Sequence, residues 1–216
     1  EREEIEKAME VYEKNKCLVI SDEIWSDLTL EGHKHIPTQS VNEYAHEHTF
    51  AFYAPSKTFN LAGLVGSYHI VYNSYLRDRL MEAEKCSHYN SANVLSISAL
   101  MGAYTKEGAE WVDELREVLT QNVDYAYTYI TTHFEGVSVA KAQGTYMLYL
   151  DCSGWLKAHP EMTMDDLIRA GIAVGVVWQD GRPFMNPNTI RMNLAVPHAL
   201  VKEAMDRLDK YVFNAK

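Results

Sequence analysis

The run Cys17-Leu18-Val19-Ile20 is too short for a helix and too apolar for a surface loop, and it ends abruptly at Ser21-Asp22. A bounded apolar run of this length reads as a buried strand, here over 17–21. A second β-prone run, Thr49-Phe50-Ala51-Phe52-Tyr53, follows a helix-like segment near 40–47, and residues 65–71 supply a third. With an amphipathic pattern over 1–15 in front, helices and strands alternate. That order is the alternation an α/β layer should show. In open α/β sheets ligands bind just beyond the carboxyl ends of the strands. The residues that stand there are Asp22, after the first run, and Lys57, after the second.

An amine acts as a covalent catalyst only if it is unprotonated near neutral pH, which requires desolvation or a neighbouring cation. Ala54 and Pro55 before Lys57, and Phe59, Leu61 and Leu64 after it, supply an apolar setting. On residue type alone a lysine is most often a solvated charge, and Asp22 reads equally well as a helix cap or a surface acid. Their joint placement points to a Schiff-base site. Pyridoxal phosphate chemistry needs this pair: a lysine to form the imine, and a carboxylate to keep the pyridine nitrogen protonated so that the ring accepts electrons.

Ser21-Asp22-Glu23-Ile24 followed by Ala54-Pro55-Ser56-Lys57-Thr58-Phe59-Asn60-Leu61-Ala62-Gly63 resembles the fold-type I pyridoxal phosphate enzymes of aminotransferase class I/II. The resemblance is strongest to their cystathionine β-lyase (C-S lyase, cystalysin-like) branch. It continues through Asp27-Leu28, Gly32-His33-Lys34-His35-Ile36-Pro37, Gly144-Thr145-Tyr146-Met147-Leu148-Tyr149-Leu150-Asp151 and Arg191-Met192-Asn193-Leu194-Ala195-Val196-Pro197, collinear over essentially the whole chain. It implies that Lys57 is the Schiff-base lysine and α-proton shuttle, that Asp22 pairs with the pyridine nitrogen, and that Arg191 clamps the substrate carboxylate. On bare sequence Arg191 also fits an exposed arginine on an alternating strand. A planar guanidinium suits the clamp because it bonds a carboxylate through two parallel N–H groups and keeps its charge.

The departures from the family pattern are specific. Trp25 stands where aminotransferases usually carry Tyr and the lyase branch often His; an indole offers one N–H and no acceptor. Val65 replaces the phosphate-binding arginine of ordinary transaminases, which the lyase branch commonly lacks. Ala54 replaces a hydroxyl residue, leaving Ser56 as the nearby candidate for the cofactor phosphate. The family's glycine-rich phosphate loop, ring-stacking aromatic and Asn-Pro segment have no counterpart, so the chain resembles a carboxyl-terminal half, expected to bind cofactor poorly alone. The implied activity is β-elimination on a cystathionine- or cysteine-like L-amino acid, giving thiol, pyruvate and ammonia. Transamination is the alternative, and an inactive interaction or regulatory module of the same fold a second. The resemblance also implies a homodimer for the full-length protein.

Helical patterning dominates from 74 to 134, with Trp111, Leu115, Val118, Leu119 and Val123 at spacings of three and four. Glu135-Gly136 closes it. Strands near 137–140, 145–150, 172–177 and 189–195 and a helix over 198–213 follow. The expected organisation is a partial αβα cofactor-binding large domain over 1–106 and a smaller α+β domain with a bridging helix over 107–216. A net charge of −10 gives no electrostatic reason to expect nucleic acid or an anionic membrane as partner. Cys17, Cys86 and Cys152 form neither a disulfide framework nor a metal-ligand pattern, and a cytoplasmic setting is the simplest. His33, His35, His46 and His48 lack the spacing of a helical metal site, so no metal is expected. Gly63 and Gly66 suit either close ligand approach or a turn.

Overall fold

The structure is a computed structural model in which residues 1–87 and 92–215 are described. The chain divides into two compact units, Glu1–Thr29 with His33–Asp113, and Leu30–Gly32 with Glu114–Lys216.

In chain order the first unit contains α1 (Arg2–Lys14), β1 (Val19–Asp22), α2 (Glu43–His48), β2 (Thr49–Tyr53), α3 (Pro55–Thr58), β3 (Tyr68–Ile70), α4 (Ser74–Cys86) and α5 (Val94–Ala103). Helix α6 (Lys106–His133) begins in this unit and ends in the second. Its sheet has the order β1-β2-β3, with β1 and β2 parallel and β3 antiparallel to β2. Polar caps set the helix starts: the side chains of Asn42, Asn73 and Asn93 accept from backbone N–H groups of the first turns of α2, α4 and α5. A small core of Met9, Val41 and Ala45, with Ile5, Val19 and Ile36 packed against it, joins α1 and α2 to β1. Residues 88–91 of the expected helical stretch lie outside the described residues.

The second unit contains β4 (Ser138–Val139), β5 (Met147–Asp151), α7 (Ser153–Ala158), α8 (Met164–Ala173), β6 (Gln179–Asp180), β7 (Thr189–Asn193), α9 (His198–Leu208) and a π-helical turn, Asp209–Phe213. Its antiparallel sheet has the order β4-β5-β7-β6. One stripe of α6, Leu119, Val123, Ala126 and Ile130, is buried, as are Leu148 and Leu150 of β5, Ile190 and Met192 of β7, and Val201, Met205 and Leu208 of α9. Alternation along the strands and spacings of three and four along the helices send all of these side chains inward.

Three local expectations are corrected. The β-branched stretch 172–177 is not a strand. A capping box between Thr163 and Asp166 starts α8, which runs on to Ala173 with Leu167 and Gly171 on its buried side. Gly175, at φ +82, then turns the chain. Gly171 must be glycine because a Cβ there would stand 2.4 Å from the Trp178 ring. The first apolar run is not a buried strand over 17–21: β1 spans Val19–Asp22, and Leu18 and Ile20 are exposed. The strand placed over 65–71 begins only at Tyr68, because Val65 adopts a left-handed conformation, φ 53. Among the described residues no helix is long and apolar enough to cross a membrane.

Asn122, fully buried on α6, ties the chain segment after β7 to that helix. Its amide nitrogen donates to the carbonyls of Leu194 at 2.9 Å and Val196 at 2.8 Å, and its oxygen contacts His198 Nδ1 at 2.9 Å. Asn122→Asp replaces the donor with an acceptor facing two carbonyls. Such a buried mismatch costs about 3 kcal/mol or more. Urea unfolding followed by far-UV circular dichroism is expected to show this loss at pH 7, larger than that for Asn122→Ala.

Candidate active site

The parallel register pairs Asp22 with Phe52, so β1 and β2 end side by side. At that edge a cavity of about 390 Å³ is lined by Ile20, Asp22, Ile24, Phe52, Tyr53, Ala54 and Ser67. Asp22 is the lone acid of an otherwise largely apolar lining, and its Oδ1 accepts the Ile24 N–H at 3.2 Å. Burial, with Glu23 the next contribution, pushes the Tyr53 phenol up to about 12.

Beyond β2 the chain turns at once into α3, where Pro55 and Thr58 are buried and Ser56 and Lys57 half-buried. The Lys57 ammonium lies 5.7 Å from the centroid of the Trp25 ring, a cation–π distance. The indole at position 25 therefore lies beside the amine. No ion pair engages Lys57 among the described residues. Thr58 anchors the helix by donating to Asp27 Oδ2 at 2.9 Å, and the Tyr104 hydroxyl reaches the same oxygen at 3.5 Å. Thus Asp22, Trp25, Ser56 and Lys57 all belong to one edge of the first sheet. Gly66 is explained by packing, since a Cβ there would stand 1.8 Å from Ser96 Oγ; Gly63 meets nothing within 4 Å.

Glu23 is a contributor that residue-type reasoning passed over. It is buried, its Oε1 accepts from Ser21 Oγ at 2.8 Å and from the Thr38 N–H at 3.0 Å, and Oε2 pairs with His35 Nε2. These bonds hold the turn immediately after Asp22. The clue was a second acid at a strand end, followed by a histidine. His46 and His48 are engaged by ring stacking, on Tyr72 and Tyr44 at 4.1 Å each. Donor atoms of Glu43, His46 and Glu47 lie within 4.8 Å of one another on α2, where His46 Nδ1 contacts Glu47.

Arg191 belongs to the second unit, at the centre of β7, with Tyr149 of β5 and Gln179 of β6 as register neighbours. Its guanidinium lies 4.6 Å from the Phe184 ring centroid, and Nη2 donates to Gln179 Oε1. Its Nε is buried and has no hydrogen-bond partner. Among the described residues no carboxylate forms an ion pair with it. Burial pushes the Tyr146 phenol up, and the Arg191 charge opposes that shift.

The sequence matches the family described as aminotransferase class I and II over residues 1–208. The chain belongs to that family. Among family relatives, cystathionine beta-lyase PatB of Bacillus subtilis (strain 168) is 33% identical over 154 residues, 71% of this chain and 40% of PatB. An aspartate aminotransferase of Bacillus sp. (strain YM-2) is 24% identical over 213 residues, 98% of this chain and 53% of that enzyme. The crystal structure of cystalysin from Treponema denticola, which contains pyridoxal 5'-phosphate, superposes with a TM-score of 0.88 at 26% identity, covering 100% of this chain and 54% of cystalysin. The chain thus spans about half the length of the relatives it matches. This class I and II fold accounts for the α/β first unit with its parallel strand pair.

The Asp27–Thr58 bond is the side-chain tie next to Lys57. Thr58→Val keeps the shape and removes the hydroxyl, which is expected to cost about 1.5–3 kcal/mol for a bond to a charged acceptor. In a double-mutant cycle with Asp27→Ala, measured by chemical denaturation, the two losses are expected to be non-additive, because each removes the same bond.

Proposed function

We propose that this chain carries the lysine-bearing part of a pyridoxal phosphate-dependent C-S β-lyase acting on cystathionine- or cysteine-like L-amino acids. The observation that carries the reading is the pairing of an acid in an apolar cavity at the end of β1 with a half-buried lysine just past the end of β2, within a chain of the aminotransferase class I and II family. The donor set fits the cofactor: Lys57 for the aldehyde, Asp22 for the ring nitrogen, and Ser56 beside the lysine as a phosphate contact. Position 65 offers no cation to the phosphate; Val65 is exposed there.

When bound, pyridoxal phosphate supplies an electron sink for the charge that develops at the substrate α-carbon. Lys57 would hold the cofactor through its aldehyde and, once released from it, would take the α-proton of the substrate. Trp25, as an aromatic face rather than an acceptor, limits solvent around that amine. Asp22 would hold a proton on the ring nitrogen, and the low polarity of its cavity would strengthen that interaction. Arg191 receives the α-carboxylate through paired N–H groups. The sulfur then leaves Cβ as a thiolate, and the remaining three-carbon unit hydrolyses to pyruvate and ammonia. We further propose a homodimer in the cytoplasm, a setting that suits the free thiols of Cys17, Cys86 and Cys152.

Transamination is the second reading, favoured by the similarity to aspartate aminotransferases. It shares the proton transfer at Lys57 and differs in its need for a keto acid. An inactive module of the same fold is the third. The discriminating assay supplies cystathionine and cofactor to the full-length protein that carries this chain, with and without an added keto acid, for wild type and Lys57→Ala. Pyruvate release without keto acid, lost by at least about a thousandfold in Lys57→Ala, is expected on the scale of removing a covalent catalyst and general base. Amino transfer only in the presence of keto acid would replace the lyase reading with the second. Equal, background turnover in both proteins would support the third.

A further inference from the structure

Two arginines of the second unit are treated in opposite ways. Arg182, just after β6, is matched by acids: Nη2 contacts Asp165 Oδ1 at 2.6 Å and Asp180 Oδ2 at 2.7 Å, and Nε donates to Asp180 as well. These bonds raise its pKa further, and they hold the Asp180 carboxyl below its ordinary value. Arg191, on the neighbouring strand, has no acid among the described residues. The residue in register with it on β6 is Gln179, whose amide oxygen accepts from Nη2. Phe184 covers one face of the guanidinium, and Nε remains buried with an unused N–H.

The difference lies in one functional group. An amide oxygen accepts a hydrogen bond and so fixes the plane of the guanidinium, but it carries no charge. A glutamate at the same position would have nearly the same shape and reach. It would form a charge-assisted pair and neutralise the arginine. A buried unpaired N–H is costly unless an acceptor arrives from outside. The sheet spacing holds the neutral partner in place: Gly181, immediately after β6, lies so close to Thr189 that a Cβ would stand 2.1 Å from its Oγ1 and 2.5 Å from its carbonyl oxygen. We propose that Gln179 is a positioning residue. It orients Arg191 toward an incoming carboxylate while leaving the charge of Arg191 available to bind it. This rests on the reading of Arg191 as the carboxylate receptor.

The test uses the 216-residue protein, ¹⁵N-labelled, with sodium acetate as probe at constant ionic strength. The Nε–Hε signals of Arg191 and Arg182 are assigned by Arg191→Lys and Arg182→Lys. In the wild type the Arg191 signal is expected to move saturably with acetate while that of Arg182 stays in place. Gln179→Glu should weaken acetate binding at least about tenfold, the effect of a 1.4 kcal/mol competing pair. Gln179→Ala, which loses orientation but keeps the charge available, should weaken it only about threefold. That ordering separates a charge-setting role from a merely structural one, in which the alanine variant would be the worse. If Gln179→Glu disturbs folding, seen as loss of the Arg182 signal, the alanine variant carries the test, and unchanged affinity in it overturns the proposal. Wild-type affinity in a folded Gln179→Glu protein overturns the role of Gln179 and leaves that of Arg191 standing. An Arg191 signal that ignores acetate in the wild type overturns both.

Discussion

Parallel hydrogen bonding between β1 and β2, in the register that sets Asp22 opposite Phe52, determines where the candidate residues of the first unit stand. Parallel strands end on the same side, so an acid that closes one strand and a lysine that follows the next are brought to one edge without any direct bond between them. Shifting the register by one residue would turn Asp22 to the opposite face and away from the cavity. The buried Glu23, with its bonds to Ser21, Thr38 and His35, resists such a slip at the β1 end. The bond from Thr58 to Asp27 does the same for α3.

Charge is distributed over the candidate residues according to a common rule. Asp22 sits in an apolar lining, Lys57 faces an indole, and Arg191 faces a neutral amide and a phenyl ring. None of the three is paired with an opposite charge among the described residues, whereas Arg182, Arg169 and Lys141 are. On the roles proposed for them, Asp22, Lys57 and Arg191 keep their charges unmatched in surroundings of low polarity, where a ligand's own charges would complete them.

The positions of the first two strands were legible in sequence because short apolar and β-branched runs bounded by polar residues have few other uses, although Leu18 and Ile20 are exposed rather than buried. The edge position of Asp22 and Lys57 followed from those strands. The stretch 172–177 misled because β-branched residues also occupy the last turn of an amphipathic helix; the cap at Thr163 and the turn at Gly175 decided its fate. Backbone conformation at Val65 overrode its β propensity. Glu23, despite its place as a second acid at a strand end, and Gln179 were missed for another reason. Their side-chain bonds are to partners distant in sequence, His35 and Thr38 in one case and Arg191 in the other, and no local pattern encodes such pairings.

The central claim is that Lys57 is the residue that holds the cofactor. Incubating the protein with pyridoxal phosphate, reducing with borohydride and mapping the proteolytic peptides by mass spectrometry tests it most directly, since reduction makes an imine at a lysine permanent. The account predicts that the added mass resides on the peptide containing Lys57 and is absent from that region in Lys57→Ala. Modification spread over exposed lysines such as Lys34 and Lys106, with Lys57 unmodified, would contradict it.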